Sequence, residues 1–178
     1  NIELWNNYAC VTFETNIAAQ GLKIIDISSP ANPVVVGTCG TITIPNDIDI
    51  WSNYAYLPGG ISGNHLTIIN ISSPSAPVVV SNNTSMNNPY SVEADNNCLF
   101  VGNYEGFRIY SLSNPVYPSL IGWYDTPRRP NVFKIEGNYI HAISSHSYNI
   151  YYSSIITSVP KWEDTGVIPP RCPHCGGL

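Results

Sequence analysis

The feature that most narrows what this chain can become is a segment that keeps returning. Leu22-Lys-Ile-Ile-Asp-Ile-Ser-Ser-Pro30-Ala-Asn-Pro33-Val-Val-Val36 recurs 44 residues on as Leu66-Thr-Ile-Ile-Asn-Ile-Ser-Ser-Pro74-Ser-Ala-Pro77-Val-Val-Val80. After a further shift of 41 comes Phe107-Arg-Ile-Tyr-Ser-Leu-Ser-Asn-Pro115-Val-Tyr-Pro118-Ser-Leu-Ile121, and a worn fourth copy runs from Asn149 to Val167. A second marker precedes each copy: Ile2-Glu-Leu-Trp-Asn-Asn-Tyr8, Ile48-Asp-Ile-Trp-Ser-Asn-Tyr54, Val92-Glu-Ala-Asp-Asn-Asn-Cys98 and Phe133-Lys-Ile-Glu-Gly-Asn-Tyr139. Self-similarity at a fixed period of this size marks repeat architectures, in which one unit cannot bury its own apolar surface.

Each unit reads as four strands. An alternating apolar-polar triplet runs into a pair of small residues, Asn6-Asn7, Ser52-Asn53, Asn96-Asn97 or Gly137-Asn138, which accept the positive φ of a tight hairpin turn. A second strand follows, then a variable loop, a third strand (Leu22 to Ile27 in the first unit), a Ser-Ser-Pro-x-x-Pro linker and a fourth strand (Val34 to Cys39). The prolines fall where no ladder hydrogen bond is wanted, because proline has no N–H to give. Consecutive apolar residues in the middle strands, such as Ile24-Ile25 and Ile68-Ile69, predict burial on both faces. No stretch keeps a helical apolar period for ten residues, so no helix beyond a turn or two is expected.

These units predict an all-β fold, a β-propeller of four four-stranded blades, because four-stranded units stacked radially cover each other's two faces. The repeats divide the chain at about 1–46, 47–90, 91–131 and 132–168, followed by an irregular tail over 169–178. Three closures stay open: a small self-closed ring of four blades, half of an eight-blade ring made by two chains, or part of a larger propeller. The first residue is Asn1 and no charged-then-apolar leader precedes it, so a mature product or a fragment is expected.

Gly21-Leu-Lys-Ile-Ile-Asp-Ile-Ser28 and Leu66-Thr-Ile-Ile-Asn-Ile-Ser72, each followed by Ser-Pro-x-x-Pro, resemble the LVIVD repeat. That family comprises bacterial and archaeal surface or exported proteins that form β-propellers. The resemblance spans about residues 1 to 168; in the third and fourth units Ser111 and Ser153 replace the Asp. It implies fold and an exported or cell-surface location. It implies no active site, because the family shares neither an activity nor catalytic residues.

Composition excludes some functions. Only 11% of residues are charged, and seven basic residues against twelve acidic ones leave a net charge of −5 with no basic run. A surface that tracks nucleic-acid phosphates is therefore not expected. No apolar run approaches the ~20 residues that span a bilayer as a helix. Few charges, many Asn and Ser, and the Asn-x-Ser/Thr tripeptides at Asn70, Asn82 and Asn83 suit an extracellular chain.

Candidate chemistry is scattered. The tail carries Cys172-Pro-His-Cys175-Gly-Gly, which resembles one knuckle of a zinc ribbon; two thiolates would bind half of a tetrahedral zinc site. A disulfide or two free thiols are the alternatives. Trp5 and Trp51 share one repeat position before the hairpin turn and could stack on sugar rings, or could brace neighbouring blades. Arg128 and Arg129 lie in the loop entering the fourth innermost strand, where they could hold a carboxylate or phosphate near a channel mouth. Asp47 and Asp49 enter the second innermost strand and could offer oxygens to calcium at the loop face, or be solvated. His65, His141 and His146 are dispersed, and neither a G-x-S-x-G elbow nor a phosphate-binding glycine loop occurs. No cofactor is required by any of this. The expected function is a non-catalytic extracellular or surface propeller that binds a protein or glycan partner or serves as a structural or assembly module, with self-association open. The alternatives are a lectin-like carbohydrate-binding propeller and a hydrolase or lyase with its site at the channel mouth.

Overall fold

The computed structural model describes residues 1–16, 19–41, 44–59, 65–83, 86–126, 130–136, 139–144 and 148–152. They form fifteen strands and, among the described residues, no helix. Blade 1 holds β1 (Ile2–Trp5), β2 (Tyr8–Asn16), β3 (Ala19–Asp26) and β4 (Val34–Gly40). Blade 2 holds β5 (Asp49–Trp51), β6 (Tyr54–Gly59), β7 (His65–Asn70) and β8 (Val78–Asn83). Blade 3 holds β9 (Ser91–Asp95), β10 (Cys98–Asn103), β11 (Gly106–Ser111) and β12 (Ser119–Asp125). In blade 4 the described strands are β13 (Val132–Glu136), β14 (Tyr139–Ile143) and β15 (Tyr148–Tyr152). Every sheet is an antiparallel meander in chain order. The architecture is a four-blade β-propeller, with β1, β5, β9 and β13 innermost.

Local chemistry repeats with the blades. Asn6, Ser52, Asn96 and Asn97 take positive φ in the innermost hairpins, the conformation that short polar residues tolerate there. Each linker among the described residues opens with a turn closed by a backbone bond across the proline, from Asn32 N to Ser29 O, Ala76 N to Ser73 O and Tyr117 N to Asn114 O. The registers shift between Ile24 and Ile25, Ile68 and Ile69, and Ile109 and Tyr110. The extra residue is Val36, Val80 or Ile121, so each described outer strand carries a β-bulge at the same repeat position. Gly106 has φ +143° and a Cβ there would stand 2.0 Å from the Tyr124 carbonyl oxygen. Only glycine fits that approach.

The core lies between blades rather than within them. Cys10, Leu22 and Ile24 of blade 1 meet Ile48, Leu57 and Ile69 of blade 2. Tyr56, Leu66 and Ile68 of blade 2 meet Val92, Leu99 and Val101 of blade 3. Phe107 and Ile109 of blade 3 meet Phe133, Ile140 and Tyr151 of blade 4, where Phe107 sits edge-on to Phe133 at 5.6 Å. The proline linkers join the same joints. A Cβ on Gly37 of blade 1 would lie 2.0 Å from the Pro74 carbonyl oxygen of blade 2, and Tyr56 Oη donates to the Pro115 carbonyl of blade 3 at 3.0 Å.

Candidate functional site

Strand direction sorts the connections into two ends. Hairpin turns and proline linkers share one end; the β2–β3-type loops and the longer segments that lead from one blade to the next share the other. The innermost strands also alternate by face. Ile48, Val92 and Phe133 turn toward the preceding blade, while Asp49 and Glu93 turn toward the following one.

Four residues occupy one repeat position on the innermost strands: Glu3, Asp49, Glu93 and Lys134. Asp49 accepts from Ile50 N at 2.7 Å and, across the joint, from Ala94 N. Asp47 does the same one step earlier, taking Ile48 N at 2.9 Å and Val92 N at 3.0 Å. These two N–H groups lie on the free edge of β9, which no strand pairs, so the carboxylates complete its hydrogen bonding. Glu93 receives Lys134 Nζ at 2.8 Å. Burial pushes Asp49 up to about 7, against the pull of the two N–H donors, and the nearby Glu93 and Glu3 charges add to the rise. Burial raises Asp47 as well. Both carboxyl oxygens of Asp47 and of Asp49 are therefore engaged, as is one oxygen of Glu93.

At the loop end of blade 3, Arg108 is pinned between Glu105 at 2.7 Å and Asp125 at 2.9 Å, and Asn87 Nδ2 donates to Glu105 at 2.8 Å. On the outward face of blade 4, His141 Nδ1 lies 2.6 Å from Tyr148 Oη, and Nε2 lies 3.9 Å from Glu136. Sequence spacing gave no hint of that trio, because the three residues meet only through the β13–β14–β15 register.

The tryptophans sit at the hairpin end. Trp5 donates its indole N–H to the Ser52 carbonyl of blade 2 at 2.8 Å, and its ring stacks on Tyr8 at 5.8 Å. Trp51 packs half-buried against the core between blades 2 and 3. Arg128, Arg129, His146, Cys172 and Cys175 lie outside the described residues. His65 stands apart in blade 2, with a buried Nδ1 that has no hydrogen-bond partner among the described residues. Cys10, Cys39 and Cys98 are free thiols, and burial, aided by Glu3, pushes Cys10 up to about 11. Among the described residues no group of three His, Cys, Asp or Glu side chains is placed to hold a metal ion. No described helix is long and apolar enough to cross a membrane.

The LVIVD repeat matches residues 1–41, 45–87 and 90–126. The chain belongs to the LVIVD-repeat family. The side chain at the motif's Asp position shows what this family repeat asks for. Asp26 accepts from Ser28 N at 2.8 Å, Asn70 from Ser72 N at 2.9 Å, and Ser111 from Ser113 N at 3.2 Å. Any short side-chain acceptor serves, which is why Ser111 can replace Asp without loss of the turn.

No curated protein matches this LVIVD chain. Solved structures share its fold at low identity. The computationally designed Ika8 protein superimposes with a TM-score of 0.64 at 8% identity, over 92% of this chain and 48% of that one. The designed Ika4 protein gives 0.62 at 9%, over 85% and 88%. A candidate 6-phosphogluconolactonase from Bacteroides uniformis gives 0.72 at 17%, over 90% and 50%. The chain spans about half the length of two of these three structures.

Proposed function

We infer that this LVIVD propeller is a non-catalytic, exported or surface-displayed module that binds a protein or glycan partner through its loop end, or serves as a structural unit of an assembly. The observation that carries this reading is the fate of the charged groups nearest the axis and the loop end. Asp47, Asp49, Glu93, Lys134 and Arg108 are each committed to a partner inside the fold. Catalytic acids, bases and phosphate clamps need free, convergent groups. Here Asp47, Asp49 and the Glu93–Lys134 pair fasten blade to blade and Arg108 is held within blade 3, while connections of differing length gather at one end of a rigid scaffold, the usual place for recognition. A low proportion of charge and the Asn-x-Ser/Thr tripeptides support an extracellular setting.

The test has two arms. Hydrogen exchange of the purified chain, with and without soluble peptidoglycan fragments, mannan and an extract of envelope proteins, should show protection that clusters in 41–48, 84–90 and 126–131. The second arm offers 6-phosphogluconolactone and uronate-containing polysaccharides as substrates. Turnover that is abolished by Asp49→Asn would replace the binding reading with an enzymatic one.

A further inference from the structure

We propose that the two end faces of the blade array, the outer face of blade 1 and the outer face of blade 4, are halves of one interface that a second copy of this chain completes head to tail. The inference concerns the seam alone and does not depend on what the loop end binds.

Equivalent repeat positions supply the argument. Ile48, Val92 and Phe133 turn toward the preceding blade and are only 4%, 5% and 5% exposed. Ile2 holds the same position in blade 1 and is 60% exposed, with Leu4 beside it at 64%. Ile69 and Ile71 are fully buried, whereas their counterparts Ile25 and Ile27 are only half-buried. Blade 1 is thus built apolar on a face that meets no preceding blade among the described residues. The far end mirrors it. Leu22, Leu66 and Phe107 turn toward the following blade and are completely buried, while Tyr148, at the same register point of blade 4, is 42% exposed. Val132, Tyr139 and Ile143 are exposed on that same face.

The occupant follows from the repeat itself. Throughout this molecule, a face like that of Ile2 and Leu4 is covered by a face like that of blade 4, so each end already carries the surface that fits the other. Among the described residues neither face is covered, and a second copy brings to each the face that fits it. Two copies related by a two-fold axis would join blade 4 of each to blade 1 of the other and close eight blades with no unpaired face. The four blades superimpose on about half of each of two longer structures, an extent compatible with that closure. An interface that joins different patches and closes after two steps gives a dimer rather than a fibre.

Sedimentation equilibrium of the full 178-residue chain at tens of micromolar tests the proposal. A particle of twice 19.5 kDa is expected. The double variant Ile2→Lys/Leu4→Lys, at sites exposed in the single chain, should raise the dimer dissociation constant by about two orders of magnitude without changing the far-ultraviolet circular dichroism. Val132→Lys/Ile143→Lys should do the same from the other end. Mixing the two double variants should restore a dimer, because one of its two seams is then wild type on both sides. Val78→Lys, equally exposed but on the outer strand of blade 2, should leave the mass unchanged. A chain that stays at 19.5 kDa overturns the proposal and points to flanking repeats of a longer polypeptide, and a dimer indifferent to both double variants overturns it equally.

Discussion

Ile48 and Ile2 are the same residue at the same repeat position, yet one is sealed between blades and the other faces solvent. The contrast separates two things that a repeat sequence encodes. One is the ability of a face to be buried, written into each copy as apolar residues at fixed offsets. The other is the neighbour that buries it, which only the assembled array provides. In a radial stack each unit's stability comes from its own strands plus its two joints, so identical residues can carry very different energies.

That difference gives the largest expected effect. Ile48→Ala opens a cavity in the first inter-blade core and should cost about 2–4 kcal/mol in urea unfolding, whereas Ile2→Ala should cost less than about 0.5 kcal/mol at sub-micromolar concentration. Equal losses from both would mean that the seam is already filled. A second contrast probes backbone contact at the same joint. Gly37→Ala would drive a Cβ against the Pro74 carbonyl oxygen and should cost about 2–3 kcal/mol, while at Gly40 of the same strand the nearest atom is 3.9 Å away and Gly40→Ala should be almost neutral. Thermal unfolding of the pair would show whether the linker is seated as tightly as the distance says.

Much of the fold was legible in the sequence, because its period, hairpin residues and proline pairs are local signals that need no tertiary context. The bulges at Val36, Val80 and Ile121 were not legible, since Val-Val-Val reads as uninterrupted strand and only the partner strand reveals the extra residue. Asp47 and Asp49 read as solvated or as oxygen donors to calcium. Their role on the β9 edge depends on an adjoining blade about 45 residues away in sequence, and spacing alone does not show which backbone N–H lacks a partner. The Glu136–His141–Tyr148 trio was hidden for the same reason. Arg128, Arg129, Cys172 and Cys175 fall outside the described residues.

Asp49 supplies the next smaller effect, and it acts on a joint rather than on a free face. Its carboxyl rises from an ordinary 3.8 to about 7. Between those values the folded chain keeps a proton that the unfolded chain releases, so this group favours folding most below about pH 4. That advantage is lost as pH climbs to 7, and the cost of the buried charge stands fully above it. Asp49→Asn removes the charge but keeps an oxygen for Ala94 N–H. It should stabilise the protein by about 1–2 kcal/mol at pH 8, after the loss of the Ile50 bond, and leave stability at pH 4 unchanged. A lower melting temperature for this variant at pH 8 would show that the charged bonds to the β9 edge outweigh burial.

The smallest effect lies farthest from either kind of face, at the turn that opens each proline linker. Asn70 Oδ1 holds Ser72 N, as Asp26 holds Ser28 N, and burial plays little part because these turns are half-exposed or more. Replacing the acceptor removes one hydrogen bond that water can partly replace, so Asn70→Ala should cost about 0.5–1 kcal/mol, and Asn70→Asp close to nothing. The hydroxyl of Ser111 makes the same bond in blade 3, so Asn70→Ser should fall between the two. If Asn70→Ser were as costly as Asn70→Ala, the interchange of Asp, Asn and Ser along the repeat would owe nothing to this bond. The graded order would instead tie the motif's polar position to turn geometry in blades 1 to 3, independent of whether the blade has a neighbour on both sides.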